Sequence, residues 1–145
     1  MLLGLYTTIL ETGNRIELPN ELAEQFDDGL FITQGFDRNL MVLTVDAFEE
    51  LYERVTSVNL ADPLARLLVR MLLSSAYKVE VGPDGTIQLS TKLKEFAQLE
   101  QDVILVGQGD FMEIWSPAMW QQQNAKLQQS EVDPARFASL LVTTR

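Results

Sequence analysis

Residues 15–18 read Arg15-Ile16-Glu17-Leu18, and residues 86–89 read Thr86-Ile87-Gln88-Leu89. The likeness extends to both sides at the same offset of 71, with Tyr6 falling on Tyr77, Leu22 on Leu93 and Glu24 on Glu95. Further along the offset slips to 74, where Gln34-Gly35 meets Gln108-Gly109. It settles at 72, where Leu40, Thr44 and Phe48 meet Met112, Ser116 and Trp120. Slips of a few residues at loops are what duplicated units accumulate, and an internal repeat governs every later reading of the chain. Chance likeness between two amphipathic βα segments is the competing explanation.

Each copy has the same local grammar. A strand of alternating or mixed apolar character, 5–10 and 76–81, runs into a turn. The turns are Glu11-Thr12-Gly13-Asn14 and Gly82-Pro83-Asp84-Gly85, both rich in residues that tolerate positive φ. Short return strands follow at 15–18 and 86–89, then a turn or two of helix entered at Pro19-Asn20 and Ser90-Thr91. Gly-containing turns separate two further strands per copy, 30–33 with 40–43 and 103–106 with 112–115. Ser116-Pro117 is a helix start, because serine caps free N–H groups and proline suits the first helical position. Thr44 takes the serine's place in the first copy and leads a helix over 46–55, with Phe48, Leu51, Tyr52 and Val55 on one stripe. Asp62-Pro63 starts a third helix, 64–76, whose Leu64, Leu67, Leu68, Met71 and Leu72 form a wide apolar face that must be covered by the sheet or by a neighbouring subunit. The pattern predicts an α+β chain with repeat units at 5–47 and 76–119, connecting helices at 48–75 and a polar tail at 120–145. In that tail the apolar segment Phe137 to Val142 reads either as a frayed end or as a docking segment.

Composition narrows the function. The 145 residues are 46% hydrophobic and 22% charged, enough apolar material for a packed core. Cysteine and histidine are absent, which excludes thiol nucleophiles, disulfides, Cys/His zinc sites and imidazole bases. No constellation of carboxylates or lysines supports an enzyme, and no cofactor motif is present. Met1-Leu2-Leu3 lacks the basic and apolar regions of a signal peptide, and no apolar run approaches the roughly 18 residues of a membrane span. The expectation is a soluble intracellular protein with no membrane partner. Eleven basic against 21 acidic residues give a formal charge of −10, which opposes generic, charge-driven binding to nucleic acid.

Several motifs nevertheless resemble one family in order and spacing from about Leu3 to Trp120. They are Gly4-x-Tyr6, the turn ending in Arg15, Ile16-x-Leu18-Pro19, Gly35-Phe36-Asp37 and Leu60-x-Asp62-Pro63-x-Ala65-Arg66. To these are added Val106-Gly107-x-Gly109 and Glu113-Ile114-Trp115-Ser116. The chain is similar in these to the MraZ family of bacterial transcriptional regulators. The resemblance implies a tandem pair of SpoVT-AbrB-like swapped-hairpin units, assembly into a cyclic homo-oligomeric ring, and a cytoplasmic, nucleoid-associated protein that binds promoter DNA repeats. It also implies DNA-facing residues: Glu11, Asn14 and Arg15 at the first hairpin tip, with Lys92 and Lys94 from the second repeat.

The chain departs from the family pattern at the DNA-facing positions. The family's Asp-x-x-x-Arg turn, with lysine and glycine before the arginine, becomes Glu11 to Arg15 with Gly13 and Asn14. In the second repeat it becomes Gly82 to Thr86. Glu21 and Ala23 stand where the first repeat's basic helix positions would be, and residues 1–30 hold one basic residue against six acidic ones. Such a face repels phosphate, so the resemblance implies a regulator of weakened DNA affinity, or alternatively a ring-forming scaffold without DNA binding. For Arg15 a DNA contact and a turn-stabilising ion pair to Glu11 both stand. Trp115 and Trp120 read as packing residues rather than base-stacking ones. The adjacent Asp27 and Asp28 read as solvated acids rather than a metal site.

Overall fold

Burial along Leu5-Tyr6-Thr7-Thr8-Ile9-Leu10-Glu11 alternates, with Tyr6, Thr8 and Leu10 turned inward, the period-two signature of a strand with one face on a core. The computed structural model describes residues 1–128 and 133–142. In chain order it comprises β1 (Leu5–Glu11), β2 (Arg15–Glu17), α1 (Asn20–Ala23) continued by a 3₁₀ turn (Glu24–Phe26), β3 (Leu30–Gln34), β4 (Leu40–Thr44) and α2 (Val45–Thr56). It continues with α3 (Pro63–Ser74), β5 (Tyr77–Val79), β6 (Thr86–Gln88), α4 (Thr91–Phe96), β7 (Asp102–Gly107), β8 (Phe111–Trp115), α5 (Pro117–Gln128) and α6 (Pro134–Val142).

The strands form one eight-stranded antiparallel sheet in the order β5-β3-β4-β8-β7-β1-β2-β6, curled into a nearly closed barrel. The two repeats are exchanged rather than side by side. First-copy β1 pairs with second-copy β7, and second-copy β5 pairs with first-copy β3. The remaining cross-copy ladders, β2 with β6 and β4 with β8, join strands that are each other's counterparts. A pseudo-twofold axis runs through both. Ile16 sits directly opposite Ile87, flanked by Arg15 opposite Gln88 and Glu17 opposite Thr86. At the other ladder Met41 sits opposite Glu113, flanked by Leu40 opposite Ile114 and Val42 opposite Met112. The α+β class and swapped-hairpin architecture are thus realised.

One offset changes. Gln34 pairs with Leu40, and Gly107 pairs with Met112, the counterpart of Leu40. Gln34 is therefore equivalent to Gly107, an offset of 73, and the match of Gln34-Gly35 to Gln108-Gly109 is corrected by one residue. One extra residue lies in the longer β3–β4 loop, where sequence likeness cannot locate a gap.

The core follows the repeat. Ile16, Leu18, Leu22, Ile87, Leu89 and Leu93 are all buried, as are Phe26, Leu30, Ile32, Val103 and Leu105. Each such aliphatic side chain contributes roughly 1.5–3 kcal/mol on removal from water. Helix starts repeat as well. The Thr44 Oγ1 accepts from Ala47 N at 3.1 Å and the Ser116 Oγ from Met119 N at 3.2 Å, satisfying first-turn donors at the starts of α2 and α5. Asp62 does the same for α3 through Leu64 N at 2.9 Å. Phe48 of α2 stacks on Phe31 of β3, with ring centroids 4.0 Å apart, and Trp120 of α5 meets Trp115 of β8 edge-on at 5.6 Å. Leu72 of α3 is buried, and the hydroxyls of Thr33 and Ser75 bond to each other at 2.9 Å beneath that helix. The opposite face of α3 is open, with Leu64 and Leu67 exposed. Of the apolar tail segment, Leu140 and Leu141 are exposed on α6; the side chains of Phe137 and Val142 lie outside the described residues.

Candidate nucleic-acid interface

The two hairpin turns lie at pseudo-equivalent positions, and each is laid against the small helix of the opposite copy. Asn14 (φ 61°) and Gly85 (φ 80°) are counterparts in the left-handed region. Their carbonyls accept from equivalent donors of the other copy, Leu89 N to Asn14 O at 2.8 Å and Leu18 N to Gly85 O at 2.9 Å. Asparagine and glycine are the residues that tolerate this conformation; one residue earlier the turns differ, since Gly13 (φ 83°) is also left-handed and its counterpart Asp84 is not.

The side chains are not alike. At the first cap the Asn14 Nδ2 donates to Thr91 Oγ1 at 3.3 Å, tying the β1–β2 tip to the start of α4. Gly85 has no side chain with which to repeat that bond. The Arg15 Nη2 donates to Thr86 Oγ1 at 2.9 Å, and Thr86 Oγ1 donates to Asp84 Oδ1 at 2.7 Å. The Thr86 bond holds the Asp84 carboxyl below its ordinary range, and Arg15 adds to this from a distance. Arginine therefore bridges to its own counterpart in the second repeat. Glu11 and Arg15 face each other across the β1–β2 ladder without an ion pair; among the described residues the pair within 4 Å is Lys78 to Glu80, at 3.8 Å. The local ion pair considered for Arg15 is replaced by a long-range bridge.

Lys92 and Lys94 lie on α4, whose start is capped by the Ser90 Oγ accepting from Leu93 N at 3.2 Å. Lys92 is exposed and Lys94 half-buried. The structure thus joins Asn14 to the start of α4 next to Lys92, with Glu11 opposite Arg15 in the β1–β2 ladder and the Arg15 guanidinium reaching across to the second tip. It also adds Arg38, from the β3–β4 loop, whose guanidinium carbon stands 4.9 Å from the centre of the Phe96 ring on α4. No spacing rule would have linked residues 38 and 96.

The second cap presents the opposite charge. Around Gly82 to Gly85, a groove of about 470 Å³ is lined by Asn20, Glu24, Asp27, Glu80 and Asp84 among others. Glu21 and Ala23 hold the positions that Lys92 and Lys94 hold on α4. Asp27 and Asp28 are exposed, and among the described residues no group of three or more acidic side chains is placed to hold a metal ion. No helix among the described residues is long and apolar enough to cross a membrane.

Comparison with known proteins identifies the family. Residues 72–139 match the family model described as "MraZ protein, putative antitoxin-like". A protein of Thermomicrobium roseum named Transcriptional regulator MraZ is 36% identical over 123 residues, 85% of this chain and 87% of the relative. The chain belongs to the MraZ family. A Roseiflexus castenholzii protein of the same name is 32% identical over 145 residues, 100% of this chain and 99% of its own. One from Mycolicibacterium smegmatis is 32% identical over 122 residues, 84% of this chain and 85% of its own.

Proposed function

We propose that this MraZ-family chain is a DNA-binding transcriptional regulator that engages duplex DNA through its first cap. The Asn14 bond to the start of α4, which sets the β1–β2 tip against the helix bearing Lys92 and Lys94, carries the reading, beside relatives named as transcriptional regulators. Thr86 holds one edge of the Arg15 guanidinium, so the fork is presented in a fixed orientation suited to a phosphate or a guanine edge. Asn14 anchors the tip to α4 and keeps Lys92 beside it. Glu11 faces Arg15 across the ladder and opposes phosphate, which lowers affinity.

The protein acts as a cyclic homo-oligomer in the cytoplasm, associated with the nucleoid. The exposed Phe36, Leu60, Leu64 and Leu67 supply apolar surface for contacts between copies, and such head-to-tail contacts close into rings when the rotation permits. Several weak caps in one ring would bind repeated sites with avidity. Light scattering should show an oligomer at micromolar concentration; a monomer would remove the ring. The acidic second cap favours a second reading, a ring-forming assembly protein without DNA binding. Selection from a random duplex library followed by mobility shifts across salt separates the two. The regulator retains sequences with a steep salt dependence, and the scaffold retains none.

A further inference from the structure

Arg38 belongs to no motif of the hairpin tip, yet the fold seats it on the same helix as Lys92. Phe96 and Lys92 are four residues apart on α4, and side chains at that spacing share a helix face. The Arg38 guanidinium packs over the Phe96 ring at 4.9 Å, so it shares that face with Lys92. The backbone of Arg38 is itself in the left-handed region, at φ 61°, within a loop fixed by the Asn39 Oδ1 accepting from Asp37 N at 3.0 Å. A guanidinium held over an aromatic ring by its charge keeps N–H donors for a further acceptor, and the ring limits the rotamer freedom lost on binding. The second cap has no equivalent: Gln25 stands at the position of Phe96, and the β7–β8 turn carries Asp110 rather than a cation.

We propose that the DNA-facing surface extends from the β1–β2 tip across α4 to the β3–β4 loop, with Arg38 as a phosphate contact seated on Phe96. This rests on the DNA-binding reading above and deepens it. Asn14 at one end of α4 and Arg38 over the other make a strip, so the duplex backbone is gripped at two places rather than one. Such a contact carries no sequence information and is read on any duplex.

The test uses the full-length protein and a fluorescein-labelled 30-base-pair duplex of arbitrary sequence, followed by anisotropy between about 20 and 200 mM salt. Arg38→Ala should weaken binding about fivefold to tenfold and take about one unit from the salt slope, with the melting temperature unchanged. Phe96→Leu, which keeps an apolar side chain but removes the ring, should give a smaller loss in the same direction. Arg54→Ala on α2 should leave the slope unchanged. If the wild type does not bind at the lowest salt, the DNA reading falls and this inference with it. If Arg15→Ala weakens binding while Arg38→Ala does not change the slope, only the inference falls. It falls as well if Arg38→Ala merely lowers the melting temperature, or if Arg54→Ala costs as much slope.

Discussion

The two caps of this barrel share a pair of equivalent cross-copy hydrogen bonds and differ in what they display. Asn14 and Gly85 adopt the same conformation and accept equivalent hydrogen bonds, and Ile16 and Ile87 meet on the axis between them. The first tip lies against α4, which carries Lys92, Lys94 and the Phe96 ring under Arg38, and sends Arg15 across to Thr86, whereas the second is bordered by Glu24, Asp27, Glu80 and Asp84. Scaffold and display are separable because inward residues answer to packing and outward ones to whatever approaches. A duplicated fold can therefore keep its core in two copies while the charges they display diverge.

The comparison breaks first at the axis. Ile16→Ala and Ile87→Ala should each destabilise by about 3 kcal/mol in urea unfolding, and by nearly equal amounts, because both side chains are buried against each other. A cost at one position and none at the other would deny the equivalence. Next in size is the tip. Arg15→Ala should weaken duplex binding by about 2 kcal/mol, roughly thirtyfold. Glu24→Gln at the second cap should weaken it not at all, and mobility shifts on one duplex compare the two directly. Restoring arginine at Thr86 would not repair the second cap, since Thr86 is the partner of Arg15.

The repeat, the helix starts at Thr44, Asp62 and Ser116 and the strands around Ile16 and Ile87 were legible in the sequence, because each is a local pattern of period, cap or turn. The strand exchange is not local. Nothing in residues 5–11 says that their partner is 102–107 rather than 30–34; only the family resemblance implies the exchange. The same limit hid the interface. Arg15 to Glu11 is a contact that sequence spacing suggests; Arg15 to Thr86 and Arg38 to Phe96 span 71 and 58 residues and arise only when the copies interlock. Loop length misled in one place, where Gln34 aligns with Gly107 rather than Gln108.

Smaller effects sharpen the comparison at the barrel seam. The Tyr77 hydroxyl donates to Gln88 O at 3.2 Å and accepts from Ser90 N at 2.9 Å, linking β5 to the end of β6. Its counterpart Tyr6 donates only to the exposed Leu3 O, at 3.2 Å. Tyr77→Phe should cost about 1 kcal/mol and Tyr6→Phe about half or less, in thermal unfolding. The smallest effect lies on the axis. Burial raises the Glu113 carboxyl above its ordinary value, while the Trp115 indole donating at 3.0 Å draws it back. The native state then holds a proton that the unfolded chain has released, so stability falls as pH rises from the ordinary carboxylate value through the raised one. Glu113→Gln should flatten that slope; a stability that instead rises with pH in the same window would reverse the assignment.

On the proposed function, DNA meets one cap and not its counterpart. Hydrogen–deuterium exchange of the full-length protein, with and without a library-selected duplex, reads both caps in one experiment. The account predicts slowed exchange on DNA binding at residues 11–15 and 91–96, with residues 20–28 and 80–85 unchanged. Equal protection at both caps, or protection confined to the acidic one, would contradict it.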